Sequence, residues 1–249
     1  MMRLANKNIL ITGATSGIGL ASLEKSIQEG AFVIFTGRDK EKVENLQKKY
    51  PEQTLGLVSD SSKVAEQIEL VKTLQSKDIR LDAVFINAGN VMHKPLGYWT
   101  PEEFDLVFDT NVKGPFFFIQ AAVPILNNDA SVVFCGTADI HIALDHSNLY
   151  AASKITLRSL ARTLSKDLIE QRIRFNLISP GPTNTPAFDK VAPNPEVKQA
   201  MLDSIARLVP AKRMAKVDEV AAAFVYLASD ESRYVIGTEI LIDGGTVNL

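Results

Sequence analysis

Thr12-Gly13-Ala14-Thr15-Ser16-Gly17-Ile18-Gly19 stands between a short apolar run, Asn8–Ile11, and a helical pattern, Gly19–Glu29. A glycine cluster in that position, closing a strand and opening a helix, is informative where a glycine cluster elsewhere is not. Glycines permit the tight turn, let the backbone approach a pyrophosphate and allow the helix to pack close on the strand. The free amides at the helix N-terminus then face the negative phosphates. Nucleotide binding through Gly13, Thr15, Ser16, Gly17, Ile18 and Gly19 is the first expectation; the plain alternative is an ordinary strand-to-helix turn.

Working outward, the same rhythm fills the chain. Runs rich in branched apolar residues recur at Asn8–Ile11, Phe32–Thr36, Thr54–Val58, Ala83–Ile86, Ser131–Cys135, Ile173–Ile178 and Glu239–Ile242. Several are nearly all apolar, as strands covered on both faces should be. Helical patterns lie between them at Gly19–Glu29, Lys40–Lys48, Lys63–Ser76, Glu102–Leu126, Leu149–Gln171 and Asp218–Ser229. Alternating strand and helix predicts right-handed crossovers and a parallel sheet. The expected fold class is α/β: a single-domain, Rossmann-type, doubly wound parallel sheet of about seven strands with helices on both faces. No linker, repeat or charge block divides residues 1–249. Pro186–Arg213 breaks the rhythm with four prolines and an amphipathic stretch near Val197–Leu208, and reads as a substrate lid.

Bulk properties narrow the function classes. With 27 Lys and Arg against 29 Asp and Glu, the net charge of −2 offers no general attraction for nucleic acid or an anionic membrane. The single cysteine, Cys135, excludes an intramolecular disulfide and makes a cysteine-based metal cluster implausible. No apolar run approaches the roughly 20 residues that span a bilayer. The N-terminus lacks the apolar core of a signal peptide, so a cytoplasmic protein is the expectation.

The end of the second strand bears on which dinucleotide is bound. A site preferring NAD usually places a carboxylate there for the ribose hydroxyls. This chain has Gly37 followed by Arg38, and a guanidinium can hold a 2′-phosphate in bidentate fashion. NADP(H) is therefore preferred, with NAD(H) possible, while Asp39 is expected to cap the next helix. Asp60, closing the third strand, either accepts a hydrogen bond from the adenine amino group or caps a helix.

At this point the sequence resembles the short-chain dehydrogenase/reductase family over essentially its whole length. Thr12–Gly19 is similar to the family's TGxxxGIG turn, and Asn87-Ala88-Gly89 to its NAG. Asn111 in NVKG, Tyr150-Ala151-Ala152-Ser153-Lys154 as YxxxK, Ser179-Pro180-Gly181 and Asp243-Gly244-Gly245 continue the series in order. The resemblance implies an NADP(H)-dependent oxidoreductase acting on a ketone or secondary alcohol. Tyr150 and Lys154, at i and i+4 of a helix, project to one face. A free tyrosine has a pKa of about 10, and a nearby ammonium is expected to favour its phenolate. Tyr150 would then pass a proton to or from the substrate oxygen.

By the same resemblance Lys154 also binds the nicotinamide ribose and Asn111 holds a water linking Lys154 to solvent. Pro180 and Gly181 open a loop in which the Thr183 backbone meets the carboxamide and Thr185 contacts the carboxamide or phosphate. The family's catalytic serine corresponds to Thr137, which keeps the hydroxyl but adds a stiff, space-filling methyl. Ser147 sits too close to Tyr150 along the chain to replace it. Asp139 is expected at the pocket mouth, where it would favour substrates carrying a cationic amine. His93, Met92 and Trp99 are expected as a pocket wall, with ordinary packing the alternative for Trp99. His141, Asp145 and His146 match no ligand spacing, and no metal is expected. The resemblance implies a homotetramer joined through Glu102–Leu126 and Leu149–Gln171. Two other readings stay open: an NAD-linked dehydrogenase of a sugar alcohol or steroid, and a non-catalytic regulator that senses the dinucleotide.

Overall fold

The computed structural model describes residues 2–190 and 194–249. Pro193, within the expected lid, lies outside the described residues. Seven strands form one parallel sheet: β1 (Asn8–Ile11), β2 (Phe32–Gly37), β3 (Thr54–Val58), β4 (Leu81–Ile86), β5 (Leu126–Cys135), β6 (Arg174–Pro180) and β7 (Glu239–Ile242). Their order is β3-β2-β1-β4-β5-β6-β7, with every neighbouring pair parallel. The direction of winding reverses between β1 and β4, and in such sheets ligands bind in the crevice beyond the strand C-termini at that point.

Side-chain alternation along the strands builds two cores. Leu10, Ile34, Val84 and Phe134 point to one face, where α3 (Val64–Ser76), α5 (Gly114–Ala122) and α6 (Asn148–Asp167) cover them. Ile9, Ile11, Val33, Phe35 and Phe85 point to the other, beneath α1 (Gly17–Gln28), α2 (Lys40–Lys49) and α8 (Val217–Ala228). There Phe85 stacks on Phe224 with ring centroids 4.5 Å apart. Both faces being covered explains why the strand sequences read as nearly unbroken apolar runs.

The expected helix over Glu102–Leu126 is not continuous. It divides into α4 (Pro101–Phe108), a π-helical turn at Asp109–Lys113, α5 and a short 3₁₀ turn at Val123–Ile125. Leu126 already belongs to β5, paired with Leu81. Pro115 and Pro124 lack the amide an uninterrupted helix needs, and the wide turn absorbs the change of path. Gly114, just past the π turn, packs so tightly on the Ser61 carbonyl that a Cβ would collide with it. The helix expected over Leu149–Gln171 closes earlier, at Asp167, with a 3₁₀ turn at Ile169–Gln171 following. The segment expected as a lid holds a 3₁₀ turn at Pro186–Lys190 and α7 (Pro195–Leu208), capped by Asn194.

Candidate active site

At the switch point the glycine-rich turn is locked to the loop after β4. The Thr12 hydroxyl accepts from the amides of Asn87 and Ala88, each at 3.0 Å, and the Asn87 amide group donates back to the Thr12 and Gly13 carbonyls. A Cβ on Gly13 would lie 2.9 Å from the Ala88 Cα, and one on Gly19 would lie 2.5 Å from Asn87 Nδ2. These two glycines are therefore required by packing. Gly13 and Gly17 are both left-handed, with φ of +65° and +58°, but Gly17 is open: the nearest side chain to a Cβ there is Thr185, at 3.7 Å. The Ser16 side chain makes no capping bond to α1, whose first turn carries no acidic residue. That helix N-terminus is suited to an anion in character and in access, so the residues present fit a dinucleotide phosphate.

The adenosine end lies beyond β2. A Cβ on Gly37 would come 2.5 Å from Thr15 Cγ2, so the glycine lets Thr15 fold over the strand end. Arg38 is exposed, and among the described residues it forms no ion pair. Asp39 caps α2 through the Lys42 amide, as expected. Asp60 does not cap α3, whose N-cap is Lys63; its carboxylate accepts from the amide and hydroxyl of Ser62, both at 2.9 Å.

Beyond β4 and β5 the remaining expected residues come together. Tyr150 and Lys154 are both buried on the inner face of α6, with Lys154 Nζ 5.9 Å from the Tyr150 ring centroid. Gly89 lies against Lys154 and Asn111, since a Cβ there would be 3.2 Å from Lys154 Nζ and 3.4 Å from Asn111 Oδ1. Thr137, buried at the end of β5, places its hydroxyl where it favours the ionised form of Tyr150. The same hydroxyl accepts from the Asp139 amide at 3.3 Å. His93 meets the Tyr150 ring edge-on at 5.5 Å. Trp99 has its indole nitrogen buried without a partner, and the Lys94 ammonium stands 6.0 Å above its ring.

Two details differ from expectation. Burial pushes the Tyr150 phenol above its ordinary value, and the charges of Cys135 and Asp139 push it the same way. The Lys154 ammonium is not bonded to Tyr150; it donates to the Cys135 carbonyl at 2.7 Å, and burial lowers its own pKa. Removing both groups from water disfavours each charged form. The Asn111 side chain makes three hydrogen bonds. It accepts from the Asn90 amide at 2.7 Å and donates to the Asn90 carbonyl and to Ser153 Oγ. Asn111 therefore braces the loop after Gly89 against α6, and it does so from within the π turn.

Ser153 is the residue that sequence reasoning passed over. It is fully buried, accepts from Asn111 and donates to the Tyr150 carbonyl at 2.7 Å. Only its place inside the YxxxK stretch hinted at a role.

The loop after β6 closes the crevice. A Cβ on Gly181 would lie 2.8 Å from the Asp243 Cα, and Asp243 itself accepts from the amides of Gly245 and Val247. Thr183 bridges to Ala215 in parallel fashion, through bonds made by Pro182 and Asn184. In that arrangement the amide and carbonyl of Thr183 itself point away from Ala215. Ser147 donates to Asp139, and burial raises the Cys135 thiol pKa. His141 lies apart, bonded to Glu239. Among the described residues, no group of three or more His, Cys, Asp or Glu side chains can hold a metal ion. No described helix is long and apolar enough to cross a membrane.

A family model described as enoyl-(acyl carrier protein) reductase matches residues 13–247. The 3-oxoacyl-[acyl-carrier-protein] reductase FabG of Thermotoga maritima is 36% identical over 252 residues, covering 99% of this chain and 100% of its own. The short-chain dehydrogenase/reductase described as glucose/ribitol dehydrogenase from Brucella melitensis superposes with a TM-score of 0.91 at 25% identity, over 98% of each chain. A blue fluorescent protein from a metagenomic library, solved in complex with NADPH, superposes with a TM-score of 0.86 at 26% identity, over 98% of this chain and 99% of its own. The family model and these relatives, matched over nearly the whole chain, show that the chain belongs to the short-chain dehydrogenase/reductase family and is an oxidoreductase of the kind that binds a nicotinamide dinucleotide.

Proposed function

We propose that this chain is an NADP(H)-dependent carbonyl reductase and alcohol dehydrogenase, acting on a ketone or secondary alcohol. The observation that carries the reading is the meeting of Thr137, Tyr150 and Lys154 beside Gly89, at the mouth of the crevice that the glycine-rich turn opens. Two hydroxyls directed to one place suit a single carbonyl oxygen, where charge develops during reduction. Bound reduced nicotinamide supplies the hydride that reaches the carbonyl carbon. Tyr150, kept protonated by burial, delivers its proton to the oxygen, and Thr137 donates a hydrogen bond to the same atom. In the reverse direction Tyr150 takes the proton back. Lys154 donates to the Cys135 carbonyl, and it would meet the nicotinamide ribose of a bound cofactor.

Gly13, Thr15, Ser16, Gly17, Ile18 and Gly19 would hold the pyrophosphate. Asn87, Ala88 and Gly89 wall the crevice, and Pro180, Gly181, Thr183 and Thr185 orient the carboxamide end. Exposed Arg38 with no carboxylate at Gly37 supports NADP(H) over NAD(H), as does the NADPH held by one structural neighbour. Asp60, engaged with Ser62, keeps the loop beneath the adenine position in shape. α7, with Val197, Met201 and Leu208 exposed, would close over substrate as a lid. Exposed Phe104, Leu106, Phe116 and Ile155 support a homotetramer joined through α4, α5 and α6.

The test follows loss of reduced-nicotinamide absorbance with NADPH and with NADH across a panel of ketones, for wild type and Tyr150→Phe. Turnover that disappears in the variant supports the assignment. Tight NADPH binding with no ketone reduced, even after Thr137→Ser, would favour a dinucleotide sensor instead.

A further inference from the structure

Two of the buried or half-buried carboxylates near the strand ends, Glu239 and Asp243, are answered by cations or by backbone amides. Glu239 accepts from Arg158 and from His141, each at 2.9 Å. Asp243 accepts from two backbone amides. Asp139 has neither arrangement. Its carboxylate is half-buried and is met by hydroxyls, with Ser147 Oγ at 3.4 Å from Oδ2. Among the described residues it forms no ion pair, and His93 is the one base whose charge acts on it.

Asp139 is also tied to the reaction centre. Its amide donates to Thr137 Oγ1, and its charge is felt at the Tyr150 phenol. His93 packs edge-on against the Tyr150 ring. A carboxylate withdrawn from water without a counter-charge is costly, and a ligand cation placed there recovers that cost.

We infer that Asp139 is the counter-charge for a substrate cation: the preferred ketone carries a protonated amine that pairs with the Asp139 carboxylate while its carbonyl oxygen lies between Thr137 and Tyr150. This rests on the reductase reading and names its substrate class. Because Asp139 follows Thr137 by two residues, the amine and the carbonyl belong to one small molecule. A charge-assisted hydrogen bond in such a place shifts selectivity by about tenfold or more.

The experiment compares kcat/KM at pH 8 for a dimethylamino-alkyl methyl ketone and its neutral isoalkyl isostere, using NADPH with wild type, Asp139→Asn and Asp139→Lys. Wild type should prefer the amino ketone by about tenfold or more. Asp139→Asn should bring the ratio near unity, and Asp139→Lys should turn preference toward a keto acid of similar length. A ratio unchanged in Asp139→Asn overturns the inference and assigns the carboxylate to His93 and the hydroxyls. If the variants do not fold, competitive inhibition of wild type decides: a trialkylammonium alcohol must inhibit more strongly than its all-carbon counterpart. Wild type that reduces both ketones without preference sinks the inference alone. Wild type that binds NADPH and reduces neither of these nor any ketone of the wider panel, even after Thr137→Ser, sinks the reductase reading.

Discussion

Lys154 Nζ and the main-chain oxygen of Cys135 are hydrogen-bonded at 2.7 Å, which fixes the ammonium at the end of β5 and 5.9 Å from the Tyr150 ring centroid. The pair on one helix face is thus held apart by the strand it packs against. Burial raises the phenol and lowers the ammonium, so the resting pair is an undissociated phenol near a cation that surrenders its proton more readily than usual. The sign for catalysis follows. Reduction needs the protonated phenol, which a raised pKa preserves through neutral and mildly alkaline pH. Oxidation needs the phenolate, so its kcat/KM should climb with pH until Lys154 loses its charge. Lys154→Ala should lower oxidation by about a hundredfold or more and move the rising limb to higher pH. pH profiles measured in both directions check this, and a rising limb unmoved by the substitution would assign it to another group.

Thr137 is the point at which this site departs from the family's serine. If its hydroxyl donates to the substrate oxygen, Thr137→Val keeps the shape and should lower kcat by about a hundredfold, as loss of a donor to developing charge does elsewhere. Thr137→Ser keeps the donor and removes a buried methyl, so it should retain turnover and accept bulkier ketones. Steady-state kinetics beside NADPH titrations separate chemistry from cofactor binding. Equal activity for valine and serine variants would make Thr137 a packing residue.

Arg38 is exposed beside Gly37, with no carboxylate at the strand end and Asp39 drawn away to cap α2. A guanidinium pairing with a 2′-phosphate contributes about 1.5–3 kcal/mol, which is about ten- to a hundredfold in Kd. Arg38→Ala should weaken NADPH by that factor and leave NADH unaltered. Fluorescence titration with the two dinucleotides reads it directly, and parallel losses for both would point to a general effect on the crevice.

Much of this architecture was written in local pattern. β1, β3 and β7 have the bounds that their apolar runs suggested: β1 is buried at the centre of the sheet, while the edge strands β3 and β7 are mostly half-buried yet keep short, branched apolar runs. The glycine turn was legible because left-handed Gly17 and close-packed Gly13 and Gly19 admit few other residues. The break at Asp109–Lys113 was not, since apolar residues on both sides keep helical spacing and a π turn leaves no pattern of its own. Nor did the sequence reveal that Lys154 would bond a carbonyl: main-chain acceptors are common to every residue and are selected only by packing. The electrostatic direction at Tyr150 failed for a related reason, since burial of both partners is a property of the fold.

Ser153 is fully buried inside the YxxxK stretch. Its hydroxyl joins Asn111 Nδ2 at 2.9 Å to the Tyr150 carbonyl at 2.7 Å, linking the π turn to the first turns of α6. It does not touch the substrate position, so it acts as a positioning residue. Ser153→Ala removes a buried donor and acceptor, while Asn111 keeps its two bonds to Asn90. Stability should fall by about 1–2 kcal/mol, which for a chain of this size lowers Tm by about 2–8 °C. Catalysis should fall further than folding at the assay temperature, with kcat reduced and the NADPH Kd little changed, because freeing Asn111 loosens the floor beneath Lys154 and not the phosphate turn. A matched loss of kcat and NADPH affinity, or a melting shift with kcat intact, would show Ser153 to be fold support alone.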